Sequence, residues 1–273
     1  DRLGTNPFQF GLIGSSDTHT GLSAVDDSNF FGKSAPAEPS AIRFMNKQAT
    51  YNWQMNAAGL AAVWAKDNTR EEIFNALSRR EVYATTGPRI SLRFFGGYDF
   101  HQDDLDPDSL VANGYEKGIP MGGELNAKKD APPSFLFAAM KDPRGANLDR
   151  LQIVKGWIEK EEMKEKVFNV AWSDERPVDE EGNITAVGNT VNLEEATWTD
   201  TIGDASLFGI WSDPDHDPSN AAVYYARVLQ IPTPRWTLYD KVRFGIKDMD
   251  EEIPLVTQER AYSSPIWYKP KKN

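Results

Sequence analysis

From Pro88 to the C-terminus, strand-length apolar runs alternate with turn residues and helical periodicity all but disappears, so this stretch can bury its apolar side chains only by packing sheet on sheet. The runs fall at residues 90–95, 135–140, 151–158, 167–172, 207–211, 223–230 and 242–246. Their number and spacing predict an antiparallel β-sandwich-like region. Asp142-Pro143-Arg144-Gly145 has the composition of a tight turn, and the polar stretch 174–183 that of a hairpin loop.

Ahead of Pro88 the pattern differs. Residues 8–14, 60–65 and 82–85 are short apolar runs that read as strands. Thr69 and Glu72 form a capping box that opens a helix ending near Arg79, and Ile73, Phe74, Ala76 and Leu77 give it an apolar face to set against a neighbouring layer. Residues 20–58 are rich in Gly, Ser and Pro and are expected to form a long excursion, with at most a short helix over 42–48. The order strand, loop, strand, helix, strand suits the closing units of an α/β domain, with an irregular barrel as its expected form. The chain therefore reads as α+β, divided into an α/β part over 1–87 and a β-rich part over 88–273.

Composition removes several functions. Forty-one acidic against 30 basic residues give a net charge of −11, which repels phosphate backbones and argues against nucleic-acid binding. Charged residues make up 26% of the chain and are spread so evenly that no window reaches the roughly 20 uncharged apolar residues of a membrane span. The absence of cysteine excludes disulfides, thiolate metal sites and cysteine nucleophiles, and leaves the compartment open. The chain starts Asp1-Arg2-Leu3, with neither methionine nor a signal-peptide pattern, so an upstream segment is expected to be missing.

Ser16-Asp17-Thr18-His19 is the most informative stretch for chemistry. Residues i and i+2 of an extended segment point the same way, so one carboxylate and one imidazole can meet a zinc, manganese or iron ion beside the end of a strand. Spacing alone leaves a second reading open, with Asp17 as a turn residue and His19 as an ordinary polar neighbour. Thr86 and Arg89 in Thr85-Thr86-Gly87-Pro88-Arg89 can contact an anionic substrate, or simply end a strand with Arg89 in an ion pair. Arg235, beside Trp236, lines a pocket or anchors the sandwich. Asp213-Pro214-Asp215-His216-Asp217 departs from a calcium loop at Pro218 and Tyr224 and reads as a solvated turn, as do Asp103, Asp104, Asp106 and Asp108. His101 and His216 read as surface residues. Ser15 and Ser16 have no His/Asp relay near them, so a serine nucleophile has no support.

The run Phe10-Gly11-Leu12-Ile13-Gly14-Ser15-Ser16-Asp17-Thr18-His19 resembles the last metal motif of the PHP (polymerase and histidinol phosphatase) superfamily. Residues 58–65, 79–90 and 231–236 resemble a large PHP-related bacterial family of unassigned function. The Thr-x-Gly-Pro element at Thr85 to Pro88 is similar to one in the carbaryl-hydrolase branch. The resemblance covers essentially the whole chain and ends at Ser263-Ser264-Pro265-Ile266-Trp267-Tyr268. It implies a hydrolase of phosphoesters or of other ester or amide bonds, using metal-activated water and a small-molecule substrate, in the bacterial cytoplasm or periplasm. It also implies that Asp17 and His19 are metal ligands in the C-terminal remnant of a barrel. The N-terminal His-x-His and other ligands of such sites are not in this sequence. The chain alone is then expected to be inactive and to hold little zinc, manganese or iron. The competing reading is a non-catalytic binding module built on the β-rich part, which eight Trp and nine Tyr would permit.

Overall fold

In the computed structural model, which describes residues 6–47, 50–128 and 131–271, most of the apolar runs become strands. Before Pro88 lie β1 (Leu60–Val63), helix α1 (Arg70–Ser78) and β2 (Val82–Thr85). After it come β3 (Ser91–Gly97), helix α2 (Leu110–Lys117), β4 (Gly118–Pro120), β5 (Glu124–Asn126), β6 (Ser134–Met140), β7 (Leu148–Glu159) and β8 (Glu162–Trp172). The remaining elements are β9 (Ser206–Ser212), β10 (Ala222–Gln230), β11 (Thr233–Pro234), helix α3 (Trp236–Phe244), β12 (Val256–Thr257), β13 (Arg260–Ser263) and β14 (Ile266–Lys269).

An eight-stranded sheet runs β1-β2-β13-β10-β14-β5, with β7 on the opposite edge of β10 and β8 beyond it. A four-stranded sheet runs β4-β3-β6-β9, and β11 pairs with β12. Strand β10 buries every second residue, Ala222, Tyr224, Ala226, Val228 and Gln230, as the two-residue period of a strand requires when one face meets a core. The first four of those side chains share one apolar cluster with Phe94, Phe135 and Phe137 of the four-stranded sheet. The ring of Phe135 lies 5.3 Å from that of Phe94 and 4.6 Å from that of Tyr224, so the two sheets are joined through aromatic contact.

The expected barrel remnant is overturned: the protein is mostly β, and among the described residues no α/β barrel is present. The first two strands show why. A barrel unit would use α1 as a crossover between parallel strands. Here β1 and β2 are direct antiparallel neighbours, with Leu60 opposite Thr85 and Val63 opposite Val82, and β2 pairs next with β13. The helix is thus the long connection of a hairpin. Thr69 caps it as expected, accepting a bond from the Glu72 amide at 3.2 Å, but Phe74 stays 66% exposed and only Ala76 is buried.

Three further expectations change. Residues 8–14 form no strand: Phe8, Phe10 and Ile13 are exposed, while the Gly14 amide donates to Leu60 O at 3.1 Å and the Leu12 amide to Ser264 Oγ at 3.0 Å. Residues 242–246 belong to the end of α3, which stops at Gly245 in the left-handed region with φ 62°. The helix expected over 42–48 is a 3-10 turn, Arg43–Met45; Gln48, like Asp1, Arg2 and Leu3, lies outside the described residues. Among the described residues no helix is long and apolar enough to cross a membrane.

The irregular stretch before β1 is anchored to α3 by one buried ion pair. Arg43 bonds Asp240 through Nε and, at 2.9 Å, through Nη2, and its Nη1 donates to Phe30 O at 2.8 Å. The guanidinium lies 4.5 Å from the ring of Trp236, within a second apolar cluster that includes Phe30, Phe44 and Ile253. Breaking such a pair leaves a buried charge without its partner. Asp240→Leu should therefore cost about 3 kcal/mol or more. Arg43→Met combined with Asp240→Leu should cost less than Asp240→Leu alone, as measured by denaturant unfolding.

Candidate functional site

Loop 14–19, the end of β2 and the segment leading into β13 enclose a cleft of about 1080 Å³. Gly14 sets the loop against the sheet: a Cβ there would meet the backbone of Leu60 and come within 2.7 Å of Thr85 O. Beyond it, the His19 amide donates to Lys33 O at 2.7 Å, and Lys33 Nζ donates to Ser16 O. Asp17 has φ 49°, so the segment turns rather than extends. Both Asp17 and His19 are exposed and line the cleft, but the turn brings them there, not the alternation of a strand. Burial lowers the pKa of Lys33, and the nearby Asp17 carboxylate opposes that shift.

Thr86 and Arg235 line the same cleft. Arg89 does not: it is exposed, and its amide donates to Asp142 Oδ2 at 2.7 Å in the turn whose Gly145 amide bonds Asp142 O. The turn after Thr86 requires Gly87, because a Cβ at φ 154° would press on Val25 O. That close approach brings the chain just ahead of Asp27 against the strand end.

Asp27 and Glu259 were not evident from the sequence, because no motif or spacing links them. Asp27 accepts a bond from the Trp236 amide at 2.9 Å and so caps α3 from 209 positions away, where the N-cap residue Arg235 supplies no side-chain cap. Its carboxyl is hydrogen-bonded to that of Glu259, which also accepts from the Thr86 hydroxyl. Thr86 Oγ1 in turn accepts from the Arg260 amide at 2.8 Å. Burial raises the pKa of both carboxyls, and for Glu259 the Asp27 charge adds to burial, holding it well above its ordinary 4.5.

Arg235 completes this corner. Its Nη2 donates to Met55 O at 2.7 Å and to Asn56 Oδ1 at 3.0 Å, while Nη1 is buried without a partner. An unmade buried donor costs about 1–3 kcal/mol. Burial also lowers the Arg235 pKa, against the attraction of Asp27 and Glu259.

Among the described residues, no group of three or more His, Asp or Glu side chains is placed to hold a metal ion. The donor types of Asp17 and His19 suit a divalent transition metal; their number alone does not make a catalytic centre.

The other clusters are structural. Asp213 is no solvated turn residue: it is buried, pairs with Lys155 at 2.6 Å and accepts from the Tyr224 hydroxyl at 2.7 Å, which together with burial drives the Tyr224 pKa upward. His216 is half-buried, 4.8 Å from the ring of Tyr268, and His101 is exposed.

Two outcomes follow. A Glu whose pKa is raised on folding binds more protons in the folded state, so its contribution to stability is complete below 4.5 and declines as pH rises toward the folded value. Glu259→Gln should remove that decline, and its stability relative to the wild-type chain should improve as unfolding is measured at pH values rising from 4.5. Gly14→Ala should cost about 1–3 kcal/mol by overpacking loop 14–19 against Leu60 and Thr85, read as a lower midpoint in thermal unfolding.

No curated protein and no solved structure matches this chain. The model of a family described as a protein of unknown function, DUF3604, matches residues 1–270, and the chain belongs to that family.

Proposed function

We propose that the cleft is part of the active centre of a metal-dependent hydrolase acting on a phosphoester or another ester or amide bond of a small molecule. The supporting observation is that Asp17 and His19, one carboxylate and one imidazole, are exposed on the wall of the same large cleft as Thr86 and Arg235. The likeness of residues 10–19 to the last PHP metal motif supports the same reading, as a relationship of chemistry. A divalent ion at such a site acidifies its bound water and polarises the bond to be cleaved. Asp17 and His19 are its ligands from this chain. Thr86 and Arg235, lining the same cleft, orient the substrate through a hydroxyl and a guanidinium.

Two protein ligands leave an ion mostly hydrated, whereas catalytic sites use three or more plus an open position. The remaining ligands therefore come from polypeptide beyond these residues, as the PHP resemblance implies, and ligand count is the argument. Calorimetric titration with zinc and with manganese should show weak binding to the 273-residue chain, reduced further by Asp17→Asn and by His19→Ala. The same residues within a longer polypeptide should bind the metal tightly and turn over members of a phosphate- and carboxyl-ester panel. Tight binding that survives both substitutions would contradict the ligand assignment. Tight metal binding without turnover of any ester would favour a binding module instead.

A further inference from the structure

The corner of the cleft formed by Arg235, Asp27 and Glu259 contains a donor that the packing leaves unused. Arg235 is 6% exposed, with Nη2 held by Met55 O and Asn56 Oδ1 and Nη1 paired with nothing among the described residues. A cleft-lining guanidinium fixed through one nitrogen, with a second donor left unpaired, is oriented before any ligand arrives. Charge says what the ligand is. The chain carries −11, yet three cations, Lys33, Arg235 and Arg260, line this cleft against Asp17, Asp27 and Glu259. Burial raises the pKa of both Asp27 and Glu259, so this pair gives up its protons less readily than two free carboxyls. Three cations thus stand among carboxyls that burial holds back from full ionisation, which weakens the negative field locally in an acidic protein.

We propose that this corner is an oxyanion subsite, in which Arg235 Nη1 donates to a carboxylate or phosphate group in a field to which Lys33 and Arg260 add positive charge. That the oxyanion is part of the molecule being hydrolysed rests on the hydrolase reading; the subsite itself does not. Glu259 makes the subsite sensitive to pH. It faces Asp27, Thr86, Arg235 and Arg260, and Asp26 and Tyr239 lie beside Asp27. While Glu259 keeps its proton, the pair carries a single charge. Once it ionises, a second negative charge stands beside Arg235, and an anion is bound less well.

Calorimetric titration of the whole chain in metal-free buffer of low ionic strength tests this, with sulfate as the tetrahedral probe and acetate as the planar one, at pH 6 and pH 8. Both probes stay fully ionised across that interval, so any change with pH belongs to the protein. The expected result is saturable one-to-one binding of at least one probe, weaker at pH 8, with the preferred shape telling phosphate from carboxylate. Arg235→Lys keeps the charge but loses the fixed fork, and should weaken binding about tenfold or more. Glu259→Gln, which can still donate to Asp27, should bind with no pH dependence. No saturable binding of either probe in the millimolar range would overturn the proposal, as would unchanged affinity in Arg235→Lys. If that variant does not fold, Glu259→Gln decides, and a pH dependence equal to that of the wild-type chain overturns it. Anion binding in a longer polypeptide that hydrolyses no ester would remove the hydrolase reading and leave the subsite. Turnover without anion binding would do the reverse.

Discussion

Strand β10 is hydrogen-bonded along both edges, to β7 over its whole length on one side and to β14 and β13 in succession on the other. Its register decides what faces the core. Because side chains alternate, a slip of one residue would carry Tyr224, Ala226 and Val228 out of the cluster they share with the four-stranded sheet. The same register fixes the cleft. Leu229 stands opposite Arg260, and the Gln230 amide donates to Glu259 O at 2.8 Å, which sets the height of Glu259 on the sheet. Just beyond β10 the chain enters β11 and then α3, whose N-cap is Arg235. Both halves of the charged corner are therefore held by one strand.

Desolvation is the largest influence on that corner. For Asp27 and Glu259, burial outweighs the hydrogen bonds and the nearby Arg235 and Arg260 charges that favour ionisation, so both carboxyls ionise less readily than free ones. Asp27 alone has a full structural explanation as the cap of α3. Glu259 does not: a half-buried carboxyl with a raised pKa that lines a cavity goes beyond what holding β13 to β2 demands, since the ladder already does that. Elsewhere the cleft lining differs in kind. Asp17 and His19 are exposed at a turn, where a side chain keeps its hydration and can exchange it for a ligand at little cost.

The strands after Pro88 were legible because their period and length are local properties. The run 223–230, for example, is almost all of β10. What misled lay in tertiary context. The apolar run 8–14 has the composition of a strand, but its large side chains face outward and its backbone bonds are few. The helix after Thr69 was correctly placed, yet its apolar residues suggested a covered layer that does not form, because β1 and β2 pair directly beneath a hairpin connection. Residues 242–246 hold enough β-branched and aromatic character to suggest a strand, while the helical signal, Lys241 and Arg243 in the last turn followed by Gly245, starts earlier. In the cleft, Asp17, His19, Thr86 and Arg235 could be chosen from local motifs. Asp27 and Glu259 could not, since a helix cap and a strand ladder bring them together from opposite ends of the chain. Arg89 does not line the cleft: one Gly-Pro step past Thr86, the chain has already turned toward Asp142.

The functional account stands on whether Asp17 and His19 bind the same metal centre. Diffraction at the zinc or manganese absorption edge, from crystals of a longer polypeptide containing these residues and grown with the metal, measures that directly. An anomalous peak about 2.0–2.2 Å from both an Asp17 carboxylate oxygen and a His19 ring nitrogen is the predicted result. A fully occupied metal elsewhere in the protein, with Asp17 and His19 left unligated, would contradict it.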